Sequence, residues 1–231
     1  MPSVDHSKKV ELSYSLMILG GLSMLSLGGV LGFLSLMVQL PVAMNSAGEL
    51  SRYLEESVTD ATPQYGAYFL KGSVGRANAW ERPREQLLAA RGEMVELTDA
   101  QLNAWFNTAF RPAYAGAGTA TAINTGVPNI YFSEQRVYLS LPIDVSISGS
   151  KKKGVLFLTG EFVGEESCSL QIHSLYINNA PLPFASVVGP RIVAALLPSY
   201  SGAEDYSAIA EVWGRIESIQ LGSNRIQVQM R

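Results

Sequence analysis

The chain has 231 residues and a net charge of −3, and it is 47% apolar but only 16% charged. Its mild acidity argues against a nucleic-acid binder, which presents a basic stripe. Cys168 is the only cysteine, which excludes an intramolecular disulfide.

The first element read along the chain is an apolar run from Leu16 to Leu40, inside a stretch without a charged residue between Glu11 and Glu49. A helix of that length reaches about 37 Å, enough to cross a hydrocarbon core of about 30 Å. The predicted transmembrane segment is 13–40. The run is longer than the core of a cleaved signal peptide, although PVAMNSAG offers a weak cleavage point around Ala47. With no cysteine near the exit, lipoprotein processing is excluded. Lys8 and Lys9 precede the run and acidic residues dominate after it. Positive flanks stay in the cytoplasm. The reading is therefore a single-pass signal-anchor in an inner or plasma membrane, with Met1–Leu12 as a cytoplasmic tail and the C-terminal domain outside. Gly21, Gly28, Gly32 and Ser35 fall on one helix face. Gly28-x-x-x-Gly32 is a small-xxx-small pair that admits a close second helix, as a homodimer or with a partner helix; the alternative is that glycine is simply common in membrane helices.

Residues 41–93 read as a connector with short helices. Pro41 ends the span. Glu49–Val58 is an amphipathic helix, and Ala61–Ala79 lacks a sustained period. Tyr65, Tyr68, Phe69 and Trp80 suit either a membrane interface or the domain surface. Pro83 opens a helix through Ala90 that Gly92 stops.

The outer domain is expected over 94–231. MVEL is a short strand, and Thr98-Asp-Ala-Gln101 is a capping box opening a helix to Phe110. Ala113–Gly126 reads as a small-residue loop and Val127–Ser133 as a strand. Arg136–Ser148 alternates, with Val137, Leu139, Leu141, Ile143, Val145 and Ile147 on one side. Pro142 places that strand near an edge or a bulge. Gly149–Gly154 reads as a hairpin tip, and Val155–Glu165 and Cys168–Asn178 as the next strands. A phase shift near His173-Ser174 suggests a bulge. Phe184–Leu197 is an apolar helix kinked or interrupted at Gly189-Pro190, Ser201–Ile216 a second helix, and Ile219–Met230 a hairpin turning at Gly222-Ser223-Asn224. The fold class is α+β: a transmembrane helix, then a curved antiparallel sheet packed with helices.

The helix start Leu97-Thr98-Asp-Ala-Gln101-Leu102-Asn103, the following meander, the passage Tyr176-Ile-Asn-Asn-Ala-Pro-Leu-Pro183 and the closing hairpin resemble the YpmS-like bacterial proteins. The resemblance covers about 94–231 and implies a single-pass anchor with a domain outside the cytoplasm. It brings no catalytic residues.

The residues that could carry chemistry point the same way. His6 and His173 fall on opposite sides of the expected membrane, so no zinc cluster arises. No Gly-x-Ser-x-Gly elbow or phosphate loop is present. Cys168 and His173 lie five residues apart on one strand and point to opposite faces. Asp144, Glu161, Glu165 and Glu166 are the carboxylates a glycosidase-like pair would need, against the ordinary reading as solvated groups. Lys151–Lys153 is either a solvated turn or a basic tip for an anionic surface. No metal, cofactor, catalytic residue or nucleic-acid partner is expected. The leading functional reading is a structural or interaction module of a bacterial cell envelope, not an enzyme. The alternative is a tethered domain that encloses a lipid or other amphiphile.

Overall fold

The computed structural model describes residues 14–59, 67–112, 121–133, 136–147, 150–163 and 169–231. His6, Lys8, Lys9, Tyr65, Glu165, Glu166 and Cys168, and residues 134–135 and 148–149, lie outside the described residues. The chain is an α+β fold: an N-terminal apolar helix followed by mostly antiparallel sheets packed with helices, none closed into a barrel among the described residues.

Helix α1 spans Tyr14–Val38. Its portion Met17–Val38 is long and apolar enough to cross a membrane, and none of the window that meets this test is buried by the described residues. The connector is more structured than its composition suggests. Strand β1 (Val42–Met44) pairs in parallel with β2 (Tyr68–Leu70), and α2 (Ala47–Thr59) lies between them in sequence. Met44, Phe69 and Leu70 are buried. Phe69 stacks on Phe157 at 5.4 Å, and Phe157 on Tyr176 at 4.7 Å. Of the two settings open to Phe69 and Trp80, both take the domain, because each finds an aromatic partner there. Helix α3 (Glu81–Ala89) starts earlier than expected, with Pro83 in its first turn, where the missing N–H costs nothing.

Strand β3 (Met94–Thr98) leads into α4 (Asp99–Ala109), and the predicted capping box is present. Gln101 N–H donates to Thr98 Oγ1 at 3.2 Å, and Thr98 N–H donates to Gln101 Oε1 at 2.8 Å. Part of the expected loop is instead a strand, β4 (Thr121–Thr125), recruited by pairing with the far half of β6 (Val137–Ile147). Strand β5 (Asn129–Phe132) pairs with the near half of β6. Gly126 N–H donates to Pro142 O at 2.7 Å between these two pairings. A strand residue directs its N–H and C=O to the same side, so the donor that proline lacks falls at the break between β4 and β5.

The main sheet continues through β7 (Ser150–Val163), β8 (Ser169–Ile177) and β9 (Ala180–Pro181) in the order β4-β6-β7-β8-β9. Thr159 pairs with Ser174 but Gly160 with Ile172, so His173 is the extra residue of a bulge. The expected tip 149–154 is shorter than read, since residues 150–154 already belong to β7.

Helix α5 (Ala185–Leu196) runs through Gly189-Pro190 as one helix. A Cβ on Gly189 would lie 2.8 Å from Ile172, so the missing side chain is what lets α5 lie down on β8. A short 3-10 turn (Leu197–Tyr200) follows α5, and the helix expected over 201–216 is present with a later start, as α6 (Tyr206–Arg215). Of its expected apolar face, Val212 and Ile216 are buried, whereas Trp213 is 46% exposed.

The C-terminal hairpin, β10 (Ile216–Gly222) and β11 (Arg225–Met230), does not join the meander. It forms a separate sheet in which β11 pairs with β3, so the last strand closes against the first strand of the expected domain. One core joins the main sheet, the C-terminal sheet and four helices; Leu87, Leu97, Trp105, Phe132, Leu158, Leu175, Val212 and Val228 belong to it. Val137, Leu141 and Ile143 of the alternating strand lie in the same core, with Leu139 and Val145 packed against it. Since Leu87 and Ala90 belong to this core as well, the packed unit reaches back beyond Met94.

Candidate functional site at the junction of helix and domain

A helix leaves its last carbonyls without intrahelical partners. At the end of α1 these groups are taken up by the turn between β8 and β9. Asn179 N–H lies 3.2 Å from both Leu36 O and Gln39 O, and the Asn178 side-chain nitrogen donates to Met37 O. The same Asn178 continues the β7–β8 ladder, its N–H donating to Val155 O at 2.8 Å while its Oδ1 accepts from Val155 N–H at 2.7 Å. Asn178 holds φ +53°, a left-handed conformation that asparagine tolerates better than most residues. Asn179 Oδ1 in turn accepts from Ala67 N–H at 3.0 Å, and Ala67 O accepts from Val42 N–H at 2.9 Å. Two adjacent asparagines therefore tie together the helix end, the connector and the main sheet.

Two more asparagines fasten the rest of the connector. Asn129 and Gly72 form a reciprocal pair: Gly72 N–H donates to Oδ1 at 2.8 Å, and Nδ2 donates to Gly72 O at 3.0 Å. Asn103, fully buried, donates to Ser73 O and Ile130 O and accepts from Ile130 N–H. In each case a side-chain amide, with its donor and acceptor, pairs as a peptide group does. Such pairing removes the cost of burying unsatisfied backbone groups. A Cβ on Gly72 would fall 1.9 Å from Ile130 O, so only glycine permits this approach.

Helix α1 presents two faces at this junction. Phe33, Leu36 and Met37 are its half-buried residues in the last turns and mark the side held by the domain. Gly21, Gly28, Gly32 and Ser35 point elsewhere, about 120° around the axis at 3.6 residues per turn. Nothing lies within 4 Å of a Cβ placed on Gly21, Gly28 or Gly32, and the Ser35 hydroxyl accepts only a long bond of 3.4 Å from Gln39 Nε2. The domain thus holds one side of the helix and leaves the small-residue side open.

Among the described residues, those weighed for chemistry do not converge. Asp144 faces Lys153 across the β6–β7 ladder, whereas Glu161 lies near the other end of β7, paired with His173 at 3.3 Å. No group of three His, Cys, Asp or Glu side chains capable of holding a metal occurs among the described residues. The strongest buried charge is structural. Asp205, 2% exposed, accepts from Arg84 through both Nε and Nη2 and from Trp105 Nε1 at 2.8 Å. The Arg84 guanidinium holds the Asp205 carboxyl below its ordinary pKa, and Asp205 raises that of Arg84. This pair ties α3 and α4 to the start of α6, beneath the Trp80–Trp105 stack at 6.2 Å. The better-formed concavities, of about 160 and 240 Å³, are shallow surface features at Gln220–Gln227 and Val42–Tyr53.

Sequence reasoning singled out none of the four asparagines as functional. Three of them, Asn103, Asn178 and Asn179, lie inside the two passages that carry the family resemblance. The detectable signal was an Asn-Asn pair between an alternating strand and a Pro-rich exit. No protein-family model and no curated protein sequence matches this chain.

Proposed function

We propose that the chain is a membrane-anchored structural or interaction module of a bacterial cell envelope, held at the bilayer by an uncleaved α1 with its N-terminus cytoplasmic and its domain outside. The observation that carries this reading is the continuity of the anchor with the fold. A signal sequence is severed from the mature protein. Here Leu36, Met37 and Gln39 accept hydrogen bonds from the domain, and Met44 is 3% exposed and accepts from Lys71 N–H at 2.8 Å. Cleavage near Ala47 would strip β1 from β2 and uncover Phe69 and Leu70. An anchor that is also a structural member of the domain serves to fix the domain's position at the bilayer surface, which a flexible tether does not. The resemblance to YpmS-like proteins agrees with this layout.

The test is the mature form of the protein. Full-length chain with a C-terminal tag is expected in carbonate-washed membranes with its N-terminal segment intact by mass spectrometry, and its domain is expected to be digested by protease in spheroplasts. A soluble product lacking residues 14–46 would overturn the proposal.

A further inference from the structure

We infer that the β6–β7 hairpin, through Lys151, Lys152 and Lys153, binds the anionic phospholipid headgroups of the bilayer that α1 crosses; the inference rests on the membrane reading of α1. Strand β8 ends at Ile177, next to Asn178, where the helix is held, but β6 and β7 continue past that point. Beyond Gly154 the ladder pairs Asp144 with Lys153, Val145 with Lys152, Ser146 with Lys151 and Ile147 with Ser150. A Cβ on Gly154 would lie 3.3 Å from Asn178 Oδ1, while Asn178 Nδ2 bonds Met37 O. The lysines therefore begin one residue beyond the contact that fixes the end of the membrane helix. From Gly154 the hairpin projects about 14 Å further at 3.4 Å per residue. A headgroup layer adds roughly 5–7 Å on each side of the hydrocarbon core, so Lys153 and Lys152, within about 7 Å of Gly154 at that rise, lie no further from the helix end than that layer is thick.

Charge selects the occupant. All three lysines are exposed, and from Ile143 to Gly154 only Asp144 opposes them among the described residues. Successive strand residues point to opposite faces, so Lys152 projects on one side of the ribbon and Lys151 and Lys153 on the other. A protein partner docking on one face would meet only part of this charge. Lysine side chains are long and flexible enough to reach one layer of phosphates from both faces of the ribbon. Strand β4 pairs along Val145–Ile147 on the other edge of β6.

The test uses the full chain in nanodiscs of phosphatidylcholine alone or mixed with phosphatidylglycerol, with amide hydrogen exchange read over 143–154. Protection is expected to rise in the anionic discs, by roughly fivefold for each lysine engaged. It should vanish at high salt, which screens exposed charge, and in the K151Q/K152Q/K153Q variant, whose β8 amides should stay protected as evidence of folding. Equal protection in the two discs for an inserted chain overturns the inference alone. Protection that instead requires a soluble polyanion such as polyphosphate, in either disc, overturns it in favour of a wall polymer. A chain that never enters the disc defeats the membrane reading, and this inference falls with it.

Discussion

The side-chain amide of Asn178 donates to Met37 O at the end of α1 while its oxygen accepts from Val155 N–H at 2.7 Å. One residue thus belongs to the end of α1 and the main sheet at once. Asn178→Asp separates the two bonds. The carboxylate still accepts from Val155 but repels the Met37 carbonyl. Hydrogen exchange should then accelerate at residues 39–44 while the β7–β8 amides stay protected. Asn178→Ala loses both bonds and keeps an unfavourable φ, and should destabilise the fold by about 2–3 kcal/mol, measured by denaturant unfolding in detergent.

Gly72→Ala tests whether the connector is part of the fold. The added methyl meets Ile130 O at 1.9 Å, and backbone cannot give way as a flexible side chain can. A loss of about 3 kcal/mol or more is expected in thermal unfolding. Gly202→Ala, with nothing within 4 Å of the new Cβ, is the control and should change little.

Asp205 sets an acid limit on stability. Its folded pKa is depressed by Arg84, so below the ordinary carboxylate value of about 3.9 the unfolded chain takes up a proton that the folded chain still refuses. The contribution is present at neutral pH and lost as pH falls from about 4 through the lower folded value. Asp205→Asn should flatten this acid limb of the unfolding midpoint. Asp205→Ala leaves the Arg84 guanidinium and Trp105 Nε1 without their acceptor and should cost about 3 kcal/mol, the lower end for a broken buried pair because Arg84 is partly exposed.

Gly28→Ile with Gly32→Ile probes the open side of α1. Neither position touches the domain, so unfolding of the domain should be unchanged. Self-association of the helix in a membrane reporter assay should fall if a second helix packs there. Unchanged association would remove Gly21, Gly28, Gly32 and Ser35 as a contact face.

The sequence by itself determined what local chemistry specifies. A charge-free apolar run of this length is too long for a strand and satisfies its own backbone as a helix. Thr98 and Gln101 close a capping box with no help from the rest of the chain. The phase slip at His173 marks its bulge because side-chain alternation has a period of two. Tertiary structure decided everything that depends on distant partners. Thr121–Thr125 has no strand pattern and becomes a strand because β6 offers a free edge. Strand β11 leaves the meander to pair with β3, a choice between edges that no local period encodes. The asparagines show the same division. Asn103, Asn129, Asn178 and Asn179 read as ordinary polar residues in sequence, and each acquires its role only when folding brings an unpaired peptide group within about 3 Å, the range of a hydrogen bond.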